Sequence, residues 1–253
     1  RVTGGTVDFG VGAIASVGEI NGSAYFVGSS KTGLAAVYSI GAAGVHKLST
    51  PFIEAYLSSY VEDIHGYCYN VDGRSFYEIR NATSGGCFAC DIESGAWIER
   101  SPVGSAPTTF RPIINAYAQA GAAPYAFNSA DGRVFDLQAT YNSDAGAAIS
   151  RIRIFGPIES DTKRVFHAQI RIELEMKFDA TGATSIAPTL DWTDDGGLTY
   201  STAITMTKTV TNSTTGQRVI LVATRLGSSQ SRYYRFTLPG AAKFVLKKCE
   251  LDL

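Results

Sequence analysis

The chain of 253 residues is poor in the residues that most often announce a chemistry. It has 4 cysteines, 3 histidines and 2 tryptophans, and only 18% of its residues are charged. So few cysteines in a chain this long exclude a disulfide-stapled scaffold, and the core must hold by packing. Lys plus Arg number 22 against 23 Asp plus Glu, a formal net charge of −1, so there is no global attraction to phosphate and no dedicated DNA-binding domain is expected. Every apolar run is interrupted by Gly, Ser, Pro or charge, as in residues 11–18 (VGAIASVG), and none approaches the roughly 20 residues that cross a bilayer. No membrane-spanning segment is expected. Neither GxxxxGK(S/T) nor GxGxxG stands at a strand-to-helix junction, and no serine lies in GxSxG, so the phosphate-cradling and nucleophile-elbow signatures are missing. Arg1 is neither an initiator Met nor the start of a basic, apolar and small-residue leader, which predicts that an upstream part has been removed.

What is present is hydrophobic, 45% of the residues, and rich in glycine, 26 in all, which excludes disorder as the dominant state. Runs of four to eight Val, Ile, Tyr, Phe and Ala alternate with Gly, Asn, Asp and Ser, the pattern of a mostly β chain. Asn21-Gly22, Asp72-Gly73 and Asp131-Gly132 predict hairpin turns, since their side chains tolerate positive φ and the following residue has no Cβ. The flanking aromatic runs are alike, and the turns recur about 50–60 residues apart, compatible with propeller blades carrying insertions. Three imperfect blades cannot close a ring, so residues 1–150 are expected to form an incomplete, N-terminally truncated, propeller-like region.

One segment departs from this pattern. Ile53, Tyr56, Leu57, Tyr60 and Val61 follow helical spacing after Thr50-Pro51, with Thr50 as N-cap, Pro51 as first helical residue and Glu54 near the positive end of the dipole, which predicts a helix over 51–62. After residue 150 the texture changes to long alternating strands. In residues 169–178, Ile170, Ile172, Leu174, Met176 and Phe178 share one face and Arg171, Glu173, Glu175 and Lys177 the other, so a β-sandwich-like domain is expected over 151–253.

Candidate chemistry is sparse. Cys87-Phe-Ala-Cys90 has the spacing of half a zinc site, but no second pair accompanies it, and cysteines three apart in a strand face opposite ways. His46, His65 and His167 are solitary and read as turn or core-edge residues. Asp191-Trp-Thr-Asp-Asp-Gly196 fails as an EF-hand, which needs a bidentate Glu where Thr202 stands. Thr193, Asp195, Gly197, Thr199 and Tyr200 fit the Asp-box pattern instead, a hairpin in which the Asp and Thr side chains bind turn backbone and the aromatic packs beneath. Asp-boxes occur in sialidase-like propellers and in unrelated β proteins. The N-glycosylation sequons at Asn21, Asn81 and Asn212 are of the kind a Ser/Thr-rich chain produces by chance. Arg151, Arg153, Lys163 and Arg164 lie among acids and read as a solvated face. No cofactor, metal or catalytic residue is assigned.

The order and spacing of several motifs resemble one family. Ser49-Thr50-Pro51-Phe-Ile-Glu54, then Asp72-Gly73-Arg-Ser-Phe76-Tyr77, then Cys90-Asp91-Ile-Glu-Ser-Gly95-Ala-Trp97-Ile-Glu-Arg100 resemble the "ST..IE", "G(H)xFY" and "YDxxTGxWxxR" stretches of the packaged-DNA stabilisation proteins of short-tailed bacteriophages. Arg111 stands where an arginine commonly follows. Asp131-Gly132-Arg-Val-Phe-Asp-Leu137 and the stretch 141–151, with Asp144 and Gly146, continue the match. Arg74 replaces the family's His and Cys90 its Tyr, and the family's N-terminal half is missing. The resemblance implies a structural virion protein of the phage tail, a hub or nozzle subunit in a homo-oligomeric ring, commonly a hexamer. Its partners would be the portal or adaptor and other tail proteins, with DNA passing through without sequence-specific binding. The alternative from another class is an Asp-box-containing propeller glycosidase or carbohydrate-binding module.

Overall fold

The computed structural model describes residues 9–30, 35–42, 44–60, 63–71, 73–81, 84–101, 116–120, 123–127, 132–137, 143–144, 147–160, 163–177, 185–209, 216–239 and 243–252. The chain divides into two compact units, Arg1–Tyr141 and Asn142–Leu253. It is mostly β, built of antiparallel sheets with one short helix, and no sheet closes into a barrel among the described residues.

In the first unit, β1 (Phe9–Val11), β2 (Gly18–Ile20), β3 (Ser23–Ser30), β4 (Ala35–Gly41) and β5 (Gly44–Lys47) form a five-stranded sheet, with β1 and β2 both pairing with β3. The β2–β3 turn is Asn21-Gly22, as expected, with φ of 53° and 72°, the left-handed pair that matches the twist of a two-residue hairpin. Helix α1 (Pro51–Tyr60) follows. Its start is built as the spacing predicts, with Ile53 N–H donating to Thr50 Oγ1 and Glu54 N–H to Thr50 O. Positions 61–62 of the expected helix lie outside the described residues. A second sheet contains β6 (Ile64–Val71), β7 (Arg74–Asn81), β8 (Cys87–Asp91) and β9 (Trp97–Ser101) in that order, and a third β10 (Ala116–Ala120), β11 (Ala123–Phe127) and β12 (Val134–Asp136).

These sheets stack face to face. Tyr25, Val27, Ala35 and Val37 of the first sheet, with Ile53, Tyr56 and Leu57 of α1, pack on Ile64, Cys68, Tyr77, Ile79 and Phe88 of the second. The opposite face of the second sheet gives Tyr67, Tyr69, Phe76 and Ala89 to Ala126 and Phe135 of the third. A sheet covered on both faces loses the polar alternation of a solvated one, and β7 accordingly is buried from Ser75 through Asn81. Successive antiparallel sheets in face contact are the packing of propeller blades.

The second unit opens with a short ladder of β13 (Ser143–Asp144) and β14 (Ala147–Ala148). The longer elements are β15 (Arg151–Glu159), β17 (Gln169–Lys177), β19 (Thr189–Thr193), β22 (Gln217–Thr224), β24 (Ser231–Leu238) and β25 (Lys243–Asp252). Between them lie the two-residue strands β16 (Val165–Phe166), β18 (Ser185–Ile186), β20 (Ile204–Thr205), β21 (Lys208–Thr209) and β23 (Ser228–Ser229). One sheet runs β15-β24-β19-β20 and another β22-β17-β25. Their inner faces meet in a single core that includes Ile170, Ile172, Leu174, Met176, Val219, Leu221, Leu190, Tyr234, Phe236 and Leu238. The alternation expected for 169–178 is present through Met176; Phe178 lies outside the described residues.

Candidate functional site

The Asp-box segment leaves β19 and folds into the hairpin its pattern predicts. Thr193 Oγ1 accepts the Gly197 N–H at 2.9 Å and donates to Asp195 Oδ1 at 2.6 Å, while Thr199 N–H donates to the same Asp195 oxygen at 2.9 Å. The Thr199 hydroxyl takes the second oxygen. With the Thr193 and Thr199 hydroxyls donating to it, the Asp195 carboxyl is held far below the usual carboxylate range. A carboxylate so committed is a poor base and has little left for a ligand. Tyr200 lies under the Arg235 guanidinium, 3.6 Å from ring centroid to Cζ, and Arg235 forks onto both oxygens of Asp191. The acids of this segment are occupied in one stack of turn, aromatic and ion pair.

Next to it, Arg232 is only 3% exposed and binds Asp194 at 2.6 and 2.7 Å and the Leu226 carbonyl. It lies over the Trp192 ring and beside Tyr234. His167 is fully buried, with Nε2 2.9 Å from Ser229 Oγ and its ring against Tyr234. A serine–histidine contact invites a nucleophile reading. His167 Nδ1 has no hydrogen-bond partner, however, so no carboxylate orients the ring, and Ser229 is itself 3% exposed. A general base needs both an orienting group and access to substrate. His167 is a core residue, as its solitary place in the sequence suggests.

The most concentrated polar cluster of the first unit was not read from the sequence. Glu78, on the central strand β7, is fully buried and accepts hydrogen bonds from the hydroxyls of Tyr67 and Tyr69 and from the Cys87 thiol at 3.1 Å. Arg80 is buried two residues further on, and Arg100 Nη2 reaches the Tyr69 hydroxyl while its guanidinium lies over Phe76. A phenol hydrogen-bonded to a carboxylate is the pair a tyrosine nucleophile requires. Here both members are enclosed, Tyr67 at 5% exposure. In the sequence, Glu78 and Arg80 alternating with Tyr77 and Ile79 give the pattern of a strand with one wet face; the third sheet, through Ala126 and Phe135, covers that face and buries them.

The motif residues behind the family resemblance mostly hold strands together. Asp91 Oδ1 accepts the N–H groups of Glu93 and Ser94, Gly95 N–H returns to Asp91 O, and Trp97 Nε1 donates to Leu48 O at 3.0 Å. Arg74 pairs with Asp91 at 2.9 Å. Glu54 binds Lys47 and Ser49, and the Tyr77 hydroxyl donates to Ser16 O at 2.7 Å. Gly73 and Gly132 stand at the expected hairpin turns. Asp131, Gly146 and Arg111 lie outside the described residues, as does the Asp144 side chain.

Cys87 and Cys90 face opposite sides of β8, the first toward Glu78 and the second beside Tyr77 in register. Burial pushes the Cys90 thiol up to about 11 and Cys68 to about 12, so both are protonated and unreactive at neutral pH. Among the described residues no group of three or more His, Cys, Asp or Glu is placed to hold a metal ion, and no helix is long and apolar enough to cross a membrane. No protein-family model and no curated protein matches the chain.

Proposed function

We propose that the chain is a structural subunit of the short-tailed phage tail, a hub or nozzle protein that joins a ring below the portal, helps retain packaged DNA and forms part of its exit path, without catalysis. The observation that carries this reading is the use made of the motif residues. Asp91, Gly95 and Trp97 close a turn and tie it to the preceding sheet; Thr50 caps the helix, Glu54 ties it to Lys47 at the end of the first sheet, and Tyr77 ties the second sheet to Ser16 between β1 and β2. Side chains spent on stiffening stacked sheets suit a part whose work is to hold shape under load. Near-neutral charge suits a DNA passage, because a strongly basic lining would release counterions and arrest the strand. The test is size-exclusion chromatography of the chain with a short-tailed phage portal ring. Co-elution supports the reading, and persistent separate elution contradicts it.

The glycosidase reading draws its one specific support from the Tyr67–Glu78 pair. It requires substrate to reach two groups that are buried. Release of sugar from a glycan panel, abolished by Tyr67→Phe or Glu78→Gln in a folded protein, would replace the structural reading.

A further inference from the structure

Two strands at sheet edges carry matching, unsatisfied chemistry. β9 is the last strand of the second sheet and β15 the first of its own sheet, each with one side unpaired among the described residues. Such edges present rows of free N–H and C=O groups, and soluble proteins usually blunt or cover them. Here both edges expose isoleucines. Ile98 on β9 is 41% exposed, and Ile152 and Ile154 on β15 are 58% and 53% exposed. Next to each stands an exposed charge with no ion pair in the described structure, Glu99 on β9 and Arg153 on β15. Partial desolvation by its neighbours raises the Glu99 carboxyl above its usual value.

Among antiparallel pairings of β9 and the Arg151–Phe155 stretch of β15, with each other or with their own copies, only β9 with β15 sets an isoleucine against an isoleucine and an acid against a base at the same time. In an antiparallel pair of β15 with its own copy centred on Arg153, the arginine faces itself, and β9 paired likewise places Glu99 against Glu99; like charges directly opposite are destabilising. An antiparallel pair of β9 with β15 that puts Ile98 opposite Ile154 instead puts Glu99 opposite Arg153. Both cross-strand pairs are then favourable.

We propose that the β9 edge of one copy of this chain pairs with the β15 edge of the next, with Ile98 against Ile154 and Glu99 against Arg153. The occupant is a second copy, and the contact deepens the ring reading given above, on which it rests. Because the two surfaces differ, the contact is heterologous, and repetition closes into a ring or runs on as a filament. The bulge at Phe155/Ile158 in β15 confines the pairing to Arg151–Phe155.

The experiment is sedimentation velocity of the full chain over a concentration series, with circular dichroism to verify folding. Glu99→Arg and Arg153→Glu are both exposed changes and should each weaken association by about tenfold or more, as expected for a close charge pair at an interface. The double variant Glu99→Arg/Arg153→Glu restores the opposition with signs exchanged and should recover the wild-type association. Folded single variants that assemble like wild type overturn this pairing and leave the ring reading standing. A double variant that fails to recover also overturns it. A wild-type chain that stays monomeric throughout overturns the pairing and the ring reading together.

Discussion

Single buried side chains account for the joints between sheets. Tyr77 sits on β7 with its ring fully enclosed and its hydroxyl on the carbonyl of Ser16, between β1 and β2. At the same joint, a Cβ on Gly66 would come within 2.6 Å of that carbonyl, so only glycine permits the approach. Tyr77→Phe leaves a buried acceptor without its donor and should cost about 1–3 kcal/mol, read as a lower urea midpoint at unchanged slope. A midpoint equal to wild type would show that Ser16 finds another donor. His167 gives a pH dependence. Burial first, then the Arg232 guanidinium, lowers its pKa, while Asp194 opposes the shift. A folded-state value below the unfolded one, about 6.5, means that stability is full above that pH and is lost as pH falls through it, since the buried ring must take up a charge. The melting temperature should therefore drop as pH is taken from about 7.5 to about 5.5, and His167→Gln should flatten that drop. Equal slopes in the two proteins would contradict the assignment.

At the scale of elements, the alternation of β17 and the stripe of α1 were plain in the sequence because a half-buried strand and a surface helix must show their periods. Glu78 and the bulge in β25 were harder to see. In β25, Phe244 and Leu246 face the core, and so do Cys249 and Leu251, an odd step that a regular strand does not allow. The structure resolves it with a bulge in which Lys247 is the extra residue between the pairs Glu173–Lys248 and Leu174–Leu246. Adjacent Lys247-Lys248 in an otherwise alternating run was the visible trace of it. A bulge restores the apolar face at the cost of one unpaired residue. Deleting Lys247 should thus leave a regular strand and a folded protein, whereas deleting Val245 moves Phe244 to the wrong face. The difference is measurable as retained against lost near-ultraviolet dichroism; equal behaviour of the two deletions would show that the bulge does not set the register. Glu78 escaped sequence reading for a related reason. A strand packed on both faces has no wet side to identify, and the hydrogen-bond donors that Glu78 meets come from β6 and β8.

For the whole molecule, the all-β class and the hairpins at Asn21-Gly22 and the Gly73 turn were legible because turn chemistry is local. The stacking of three sheets through two cores depends on contacts between residues far apart in sequence, and no local pattern encodes which faces meet. The Asp-box was legible as a turn, and its hydrogen bonds account for every residue of the motif except Tyr200, which the Arg235 stack accounts for. In each unit buried polar side chains such as Tyr77, Glu78 and Arg232 join one strand or turn to another. If this chain serves by holding to its neighbours, as proposed, electron microscopy of the purified protein bound to a portal ring should show particles with rotational symmetry about a central opening and this chain in every repeat; single unattached copies beside bare portal rings would rule that role out.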